Sequence, residues 1–123
     1  MLAALPADRC GLVETAGVAG YLAASNAGQC GPCSNGLPAI AAALGALARG
    51  PWDDTLWPAL ERWLTVVPGR GACRHPDGAV RLVASAFAVF AEDVAAHRGG
   101  SPCPRAEAPD WLPVPAVARV GWR

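Results

Sequence analysis

The sequence has no lysine, so all ten basic residues are arginine, and they balance ten acidic residues to a formal net charge of zero. We attribute this Ala-, Gly- and Pro-rich composition to a GC-rich genome rather than to a function.

Without a run of basic residues the chain has no electrostatic basis for binding nucleic acid or an anionic membrane surface. It has no apolar run near the roughly 20 residues that span a bilayer, and residues 1–9 do not resemble a signal peptide. We therefore expect a cytoplasmic protein with no nucleic-acid partner and no direct membrane insertion.

The sequence also lacks the usual constellations of catalytic residues. We find no Ser/His/Asp arrangement, no paired carboxylates and no Gly-rich phosphate loop, because Gly69-Arg70-Gly71 is too short and follows no clear strand. Glu92 and Asp93 read as a solvated helix face, and His97 as a helix-ending residue that interacts favourably with the helix dipole. The chain by itself is expected to catalyse nothing.

Helical periodicity dominates what the sequence does contain. Apolar residues recur at three- and four-residue steps in four segments, and Gly or Pro pairs at 50–51, 68–69 and 99–100 end the last three. The four stripes are Leu12/Ala16/Ala19/Ala23, Leu37/Ile40/Leu44/Leu47, Leu56/Leu60/Trp63/Val67 and Val80/Val83/Phe87/Phe90/Val94. They predict an all-α protein, a small four-helix bundle over residues 10–98, followed by a Pro/Gly-rich tail over residues 99–123.

Three of the five cysteines fall where such a bundle would bring them together. Cys30 and Cys33 form a C-x-x-C pair between the first two helices, and Cys73 lies just before the fourth. Because short connections make neighbouring helices antiparallel, these three residues are expected at one end of the bundle. The N-termini of the second and fourth helices, each with a partial positive charge, would lie at this end and favour the thiolate form of the cysteines. Cys10 and Cys103 are expected near one another at the opposite end, as free cysteines and not as ligands.

The pattern of the three cysteines leaves several chemistries open. Unligated buried cysteines are the simplest reading. Cys30, Cys33, Cys73 and His75 would also be a legitimate Cys3His zinc set, which would make the chain a zinc-stabilised helical interaction module. Cys30-Gly31-Pro32-Cys33 is in addition the tetrapeptide of a thiol–disulfide oxidoreductase. That activity requires an exposed, low-pKa Cys30 and a preceding strand, and the sequence predicts no strand there.

The loop, its spacing and its helical context resemble the iron–sulfur domain of the NADH-binding flavoprotein subunit of respiratory complex I and of related NAD-linked hydrogenase and formate dehydrogenase subunits. That family carries E-S-C-G-x-C-x-P-C-x-x-G and a lone cysteine about forty residues later, ahead of a last amphipathic helix. The matching residues here are Gly28, Cys30, Pro32, Cys33, Gly36 and Cys73, with Phe87, Phe90, Glu92 and His97 resembling the family's closing run. The likeness covers about residues 10–98.

The resemblance implies an iron–sulfur cluster, [4Fe–4S] or else [3Fe–4S], with Cys30, Cys33 and Cys73 as ligands and backbone N–H groups around Gly28 and Gly31 as donors to its sulfurs. It implies an electron-transfer role beside a flavin/NADH-binding domain or subunit and a ferredoxin-like iron–sulfur subunit, at the cytoplasmic face of a membrane complex. The family's flavin- and NADH-binding part has no counterpart in these 123 residues, so we expect no FMN or NADH on this chain.

One ligand of the family pattern is missing, because its first cysteine falls on Ala27. His75, two residues after Cys73, is the candidate for this corner, since histidine ligates some iron–sulfur clusters. Water or an exogenous thiolate could also complete the site, and a [3Fe–4S] cluster needs no fourth protein ligand. The alternative for His75 is a surface histidine in a loop.

Overall fold

The structure, a computed structural model, describes residues 4–26, 28–100, 103, 105 and 111–114. These residues form five α-helices and one π-helical turn, with no strand among them, so the all-α prediction is confirmed. The helices are α1 (Gly11–Ala24), α2 (Leu37–Arg49), α3 (Leu56–Val66), α4 (His75–Val89) and α5 (Ala91–Arg98), and the π-helical turn (Pro32–Gly36) leads directly into α2. In the described part of the chain no helix is long and apolar enough to cross a membrane.

The predicted apolar stripes form the core. Helix α1 packs against α2, α4 and α5, and α2 packs against α3. The most deeply buried side chains come from every stripe, with exposed fractions of 2% or less: Leu12, Leu44, Leu47, Leu60, Val67 and Val83. Burying an aliphatic side chain of this kind stabilises the fold by about 1.5–3 kcal/mol. Because α1 contacts three other helices, its two ends fix the positions of the loops that pack around them.

The predicted fourth helix is two helices, separated at Phe90. The backbone of Phe90 leaves the helical region (φ −104°, ψ 34°), although its N–H still donates to Ala86 O at 2.8 Å. Its ring lies directly over the backbone of Gly11, where an added Cβ would be 2.2 Å from ring carbons. The change of direction at Phe90 therefore lets α5 pack against the start of α1. Only a glycine at position 11 leaves room there for the Phe90 ring.

An aromatic layer covers the outer side of α4 and α5. Trp57 lies between Trp52 and Phe87, with ring centroids 5.5 Å and 4.9 Å away. The guanidinium of Arg98, in the last turn of α5, lies 4.9 Å from the Trp57 centroid and 5.5 Å from that of Trp52. Cation–π contacts of this length are attractive and hold the end of α5 against the loop before α3.

The described residues beyond α5 are fastened to the start of the chain. The buried carboxylate of Glu14 accepts N–H bonds from Trp111 at 2.8 Å and Leu112 at 3.0 Å. Arg105 donates to the carbonyls of Ala7 and Arg9, both at 3.3 Å. The division into a helical domain over 10–98 and a Pro/Gly-rich tail over 99–123 stays a prediction, because much of 99–123 lies outside the described residues.

Candidate metal centre

The loop that carries Cys30 and Cys33 is built by a glycine and a tight helical turn. Gly28 has φ +66°, a conformation that glycine adopts without steric cost. Gly31 is already helical (φ −55°, ψ −47°) and precedes the π-helical turn, in which Pro32 needs no N–H partner. The Ser34 N–H donates to Cys30 O at 2.9 Å, and the Ser34 hydroxyl donates to Gly28 O at 3.2 Å. These bonds turn the chain so that Cys30 and Cys33 face the same region.

Asn26 attaches this loop to the end of α1. Its side-chain amide donates to the carbonyl of Ala23, in the last turn of α1, and to the carbonyl of Cys33 at 2.9 Å. One side chain thus satisfies a helix-end carbonyl and holds the second cysteine beside it. Ala27, the position of the missing family cysteine, lies outside the described residues.

The three thiols predicted to converge do interact. The Cys30 thiol is influenced by the backbone N–H of Ala72, next to Cys73, and by Cys33, and the Cys33 thiol is influenced by Cys30 and Cys73. These backbone and thiol donors lower the pKa of Cys30 from its ordinary value of 9.0, with the Ala72 N–H as the largest cause. Burial, then the contact with Cys30 and the charge of Cys73, raises the pKa of Cys33 to about 11. The exposure also differs, since Cys33 is buried, Cys30 partly buried and Cys73 exposed.

His75 is the first residue of α4 and not part of a loop. Its Nε2 lies 2.9 Å from Leu22 O in α1, and because a carbonyl oxygen only accepts, Nε2 is the donor and Nδ1 is the ring nitrogen left for a metal. Metal-ligating histidines commonly donate their other ring N–H to a backbone carbonyl in this way. The same bond would also satisfy a purely structural histidine, so the ligand role of His75 stays a prediction.

The donor spacing at this end of the bundle differs from that of a single-ion site. A tetrahedral zinc ion with Zn–S bonds of about 2.3 Å holds its thiolates about 3.8 Å apart. Within the described residues, Cys30, Cys33 and Cys73 do not form a group whose ligand atoms all lie within 4.8 Å of one another. These three residues therefore do not form the compact group that one zinc ion requires.

The sequence analysis missed a second group of residues, at the opposite end of α1. Cys10, His97 and Cys103 bring their ligand atoms within 4.8 Å of one another, and Cys10 Sγ lies 3.3 Å from His97 Nε2. Cys10 and Cys103 were expected at this end, but His97 was interpreted as a helix-ending residue that interacts with the helix dipole. Because neighbouring helices are antiparallel, the start of α1 and the end of the last helix lie at the same end of the bundle, and this topology is the signal that could have predicted the group.

The prediction that Asp93 lies on a solvated face is wrong. Asp93 is buried, and its Oδ2 accepts the Gly11 N–H at 2.9 Å while Oδ1 pairs with Arg105. The attraction of Asp93 is the main cause that raises the pKa of Arg105. Phe90 turns α5 inward, which carries Asp93 and His97 to the start of α1, whereas Glu92 stays exposed.

One comparison with known proteins gives a match. The family model described as the NADH-ubiquinone oxidoreductase-F iron–sulfur binding region matches residues 13–97, more than half of the chain. The match includes Cys30, Cys33, Cys73 and His75, and leaves Cys10 and Cys103 outside it. The chain has no significant match among curated proteins or among solved structures.

Proposed function

The chain belongs to the NADH-ubiquinone oxidoreductase-F iron–sulfur binding region family, and from this premise we propose that it transfers electrons through one iron–sulfur cluster. The observation that carries the proposal is that Cys30 and Cys33, at the turn into α2, lie close enough to the Cys73 loop for Ala72 and Cys73 to shift their pKa values. When bound, an iron–sulfur cluster supplies one-electron transfer at a potential that its protein surroundings adjust. The cluster is [4Fe–4S], with [3Fe–4S] as its oxidised, three-cysteine form.

The three cysteines would hold the cluster from two helix starts. Cys33 lies in the turn that leads into α2, and Cys73 lies two residues before α4 begins. Their backbone N–H groups and the helix dipoles favour negative charge at this place, which suits thiolate ligands. The fourth corner is assigned to His75 through Nδ1, with its Nε2–H held by Leu22 O.

The surrounding residues would set the environment of the thiolates. The N–H groups around Gly28 and Gly31, and that of Ala72, are donors for sulfur, and such bonds stabilise the reduced, more negative state of a cluster. Burial of Cys33 restricts water on one side, while exposed Cys73 leaves the other side open. The exposed side is where we expect an electron partner to approach.

The family places this region in an NADH-oxidising subunit, and the partners follow from that context. We propose that a flavin/NADH-binding domain or subunit gives electrons to this chain, and that a ferredoxin-like iron–sulfur subunit receives them. The complex would lie in the cytoplasm, at the face of a membrane. We expect the flavin and nicotinamide sites of the donor on another domain or chain.

The test is anaerobic reconstitution followed by iron and acid-labile sulfide analysis and electron paramagnetic resonance. We expect brown protein with about four irons and four sulfides per chain, or about three irons and four sulfides after mild oxidation. Cys73→Ser should lose most of the iron and sulfide, whereas Cys10→Ser, the matched control at the other end of α1, should keep them. Iron that follows Cys10, or protein without labile sulfide, would refute the proposal.

His75 needs its own comparison, because its removal also breaks a bond to α1. His75→Ala loses both ring nitrogens, whereas His75→Gln keeps a side-chain N–H that can donate to Leu22 O. If His75 is a ligand, both variants change the cluster's paramagnetic signal, whereas a purely structural histidine would let His75→Gln keep the wild-type signal. An unchanged signal in His75→Ala would assign the fourth corner to water or an exogenous thiolate.

A second candidate function is thiol–disulfide exchange at Cys30 and Cys33, which the opposite pKa shifts of the two thiols favour. The Cys30 thiolate would attack a substrate disulfide and release one substrate thiolate. Cys33 would then displace the second thiolate, leaving a Cys30–Cys33 disulfide and a reduced substrate. The reduced, metal-free chain would convert one equivalent of glutathione disulfide per chain, and Cys33→Ser would stop at the mixed disulfide. The absence of a strand among the described residues makes this the weaker candidate.

A further inference from the structure

Cys10, His97 and Cys103 form a compact donor group that the cluster proposal does not use. Their ligand atoms lie within 4.8 Å of one another, and none of the three is in a disulfide. Cys10 is 1% exposed and His97 7% exposed, while Cys103 is partly buried. Two thiols and an imidazole thus meet at a place largely shielded from water, where Cys10 and His97 are hydrogen-bonded to each other in the absence of an ion.

The spacing matches one tetrahedral ion. Zn–S bonds of about 2.3 Å and Zn–N bonds of about 2.0 Å place neighbouring donors about 3.5–3.8 Å apart. The Cys10 Sγ to His97 Nε2 distance is 3.3 Å, and the largest separation in the group is below 4.8 Å. Shifts of about 1 Å or less would therefore bring all three donors to bonding distance. This is the spacing that Cys30, Cys33 and Cys73 do not have.

The charges in this region also balance around a divalent cation. Two thiolates neutralise a 2+ ion, and neutral His97 adds no charge. The neighbouring Asp93 carboxylate is already neutralised by Arg105, which also hydrogen-bonds the Cys103 sulfur.

Contacts outside the donor group hold its members in place. The Gly11 N–H binds Asp93 Oδ2, and this bond joins the residue after Cys10 to the helix turn before His97. Arg105, two residues after Cys103, binds Asp93 and the carbonyls of Ala7 and Arg9. The same network thus positions one ligand from the start of α1, one from α5 and one from beyond α5. Networks of this kind orient metal ligands in proteins.

We propose that Cys10, His97 and Cys103 bind one Zn²⁺ ion, with water at the fourth position. The ion fastens the segment beyond α5 and the end of α5 to the start of α1. Cys10 and Cys103 are separated by about three quarters of the chain, so the ion closes a long loop and restricts the unfolded chain strongly. The site is independent of the cluster proposal, because it uses none of the same residues and lies at the opposite end of α1, roughly 20 Å away.

The test is metal analysis of the anaerobically reconstituted full chain, dialysed against trace Zn²⁺, in two matched variants. We expect about one zinc per chain in the wild type. Cys10→Ser should lose zinc and keep iron, and Cys30→Ser should lose iron and keep zinc. This crossed pattern separates the two proposals, since failure of the cluster leaves the zinc result intact. Zinc that follows Cys30 instead of Cys10 would overturn the inference.

X-ray absorption of the wild type keeps the proposal testable if a variant does not fold. We expect two sulfur ligands at about 2.3 Å and two nitrogen or oxygen ligands at about 2.0–2.1 Å from zinc. Three or four sulfur ligands would move the ion to Cys30, Cys33 and Cys73 and overturn the assignment. A Cys10–Cys103 disulfide in anaerobically purified protein, detected by mass spectrometry of unreduced peptides, would overturn it as well.

Discussion

Replacing Gly11 with alanine perturbs the contact that turns α5 toward α1. A Cβ at position 11 would lie 2.2 Å from two carbons of the Phe90 ring and 2.7 Å from a third. These atoms belong to a rigid ring, so the ring and the backbone at Phe90 must move. Overpacking of this kind costs about 1–3 kcal/mol. The movement also disturbs the Gly11 N–H bond to Asp93, so zinc affinity should fall together with stability.

Gly20→Ala is the matched control in the same helix. An added Cβ at Gly20 meets no atom within 4 Å, and alanine is favoured over glycine inside a helix by about 0.5–1 kcal/mol. For a chain of this length each kcal/mol corresponds to about 4 °C in melting temperature. With metal content held equal, Gly11→Ala should melt about 4–12 °C below the wild type and Gly20→Ala about 2–4 °C above it.

A double-mutant cycle identifies the clash itself. Phe90→Leu shortens the side chain over position 11, so Gly11→Ala should cost less in a Phe90→Leu background than in the wild type. Thermal or urea unfolding of the four proteins gives the coupling free energy, which we expect to be about 0.5 kcal/mol or more. Equal costs in both backgrounds would refute the position of the Phe90 ring over Gly11, and with it the reason for the break between α4 and α5.

Three further predictions concern the loop of Cys30 and Cys33. Gly28→Ala forces a side chain into a left-handed backbone conformation, which should lower the free energy of unfolding by about 1–2 kcal/mol and reduce the cluster content. Gly31 has a helical φ and no atom near an added Cβ, so Gly31→Ala should change the free energy of unfolding by about 0.5 kcal/mol or less. Equal effects of the two substitutions would contradict the loop geometry. In metal-free protein, iodoacetamide should modify Cys30 before Cys33, because only the thiolate reacts and the two pKa values are shifted in opposite directions. Peptide mass spectrometry over a pH series should give a midpoint of modification below pH 9.0 for Cys30 and near pH 11 for Cys33. The reverse order of modification would show that the shifts are wrong. Ala27→Cys should raise cluster yield and lifetime in air and favour [4Fe–4S] over [3Fe–4S], since it restores a fourth thiolate; unchanged cluster content would mean that position 27 does not reach the cluster.

The helices could be predicted because their apolar periodicity is local. The stripe from Val80 to Val94 is continuous in the sequence, and nothing in it marks a break at Phe90. The break depends on the contact between Phe90 and Gly11, about 80 residues away in the chain, and such a contact has no local signature. The sequence therefore predicted four helices where the described residues form five, although every apolar stripe was found.

The two candidate sites were predictable to different degrees, because contacts between residues far apart in the sequence leave no local pattern. Cys30 and Cys33 are close in sequence and Cys73 lies two residues before a helix, so topology alone predicted their convergence. Asp93 looked like any charged residue of a short helix, and only the position of Arg105 and Gly11 around it makes it a buried ion pair. His97 likewise became a candidate ligand only through its contact with Cys10, which lies 87 residues away in the sequence.

The aromatic layer gives the protein a built-in optical signal. Arg98 follows His97 directly in α5, and its guanidinium lies within 5.5 Å of the ring centroids of Trp52 and Trp57. Indole emission responds to a nearby positive charge, so any shift of the end of α5 changes the fluorescence of these two rings. Binding or loss of an ion at His97 can thus be followed by intrinsic fluorescence, in the unlabelled chain and in real time.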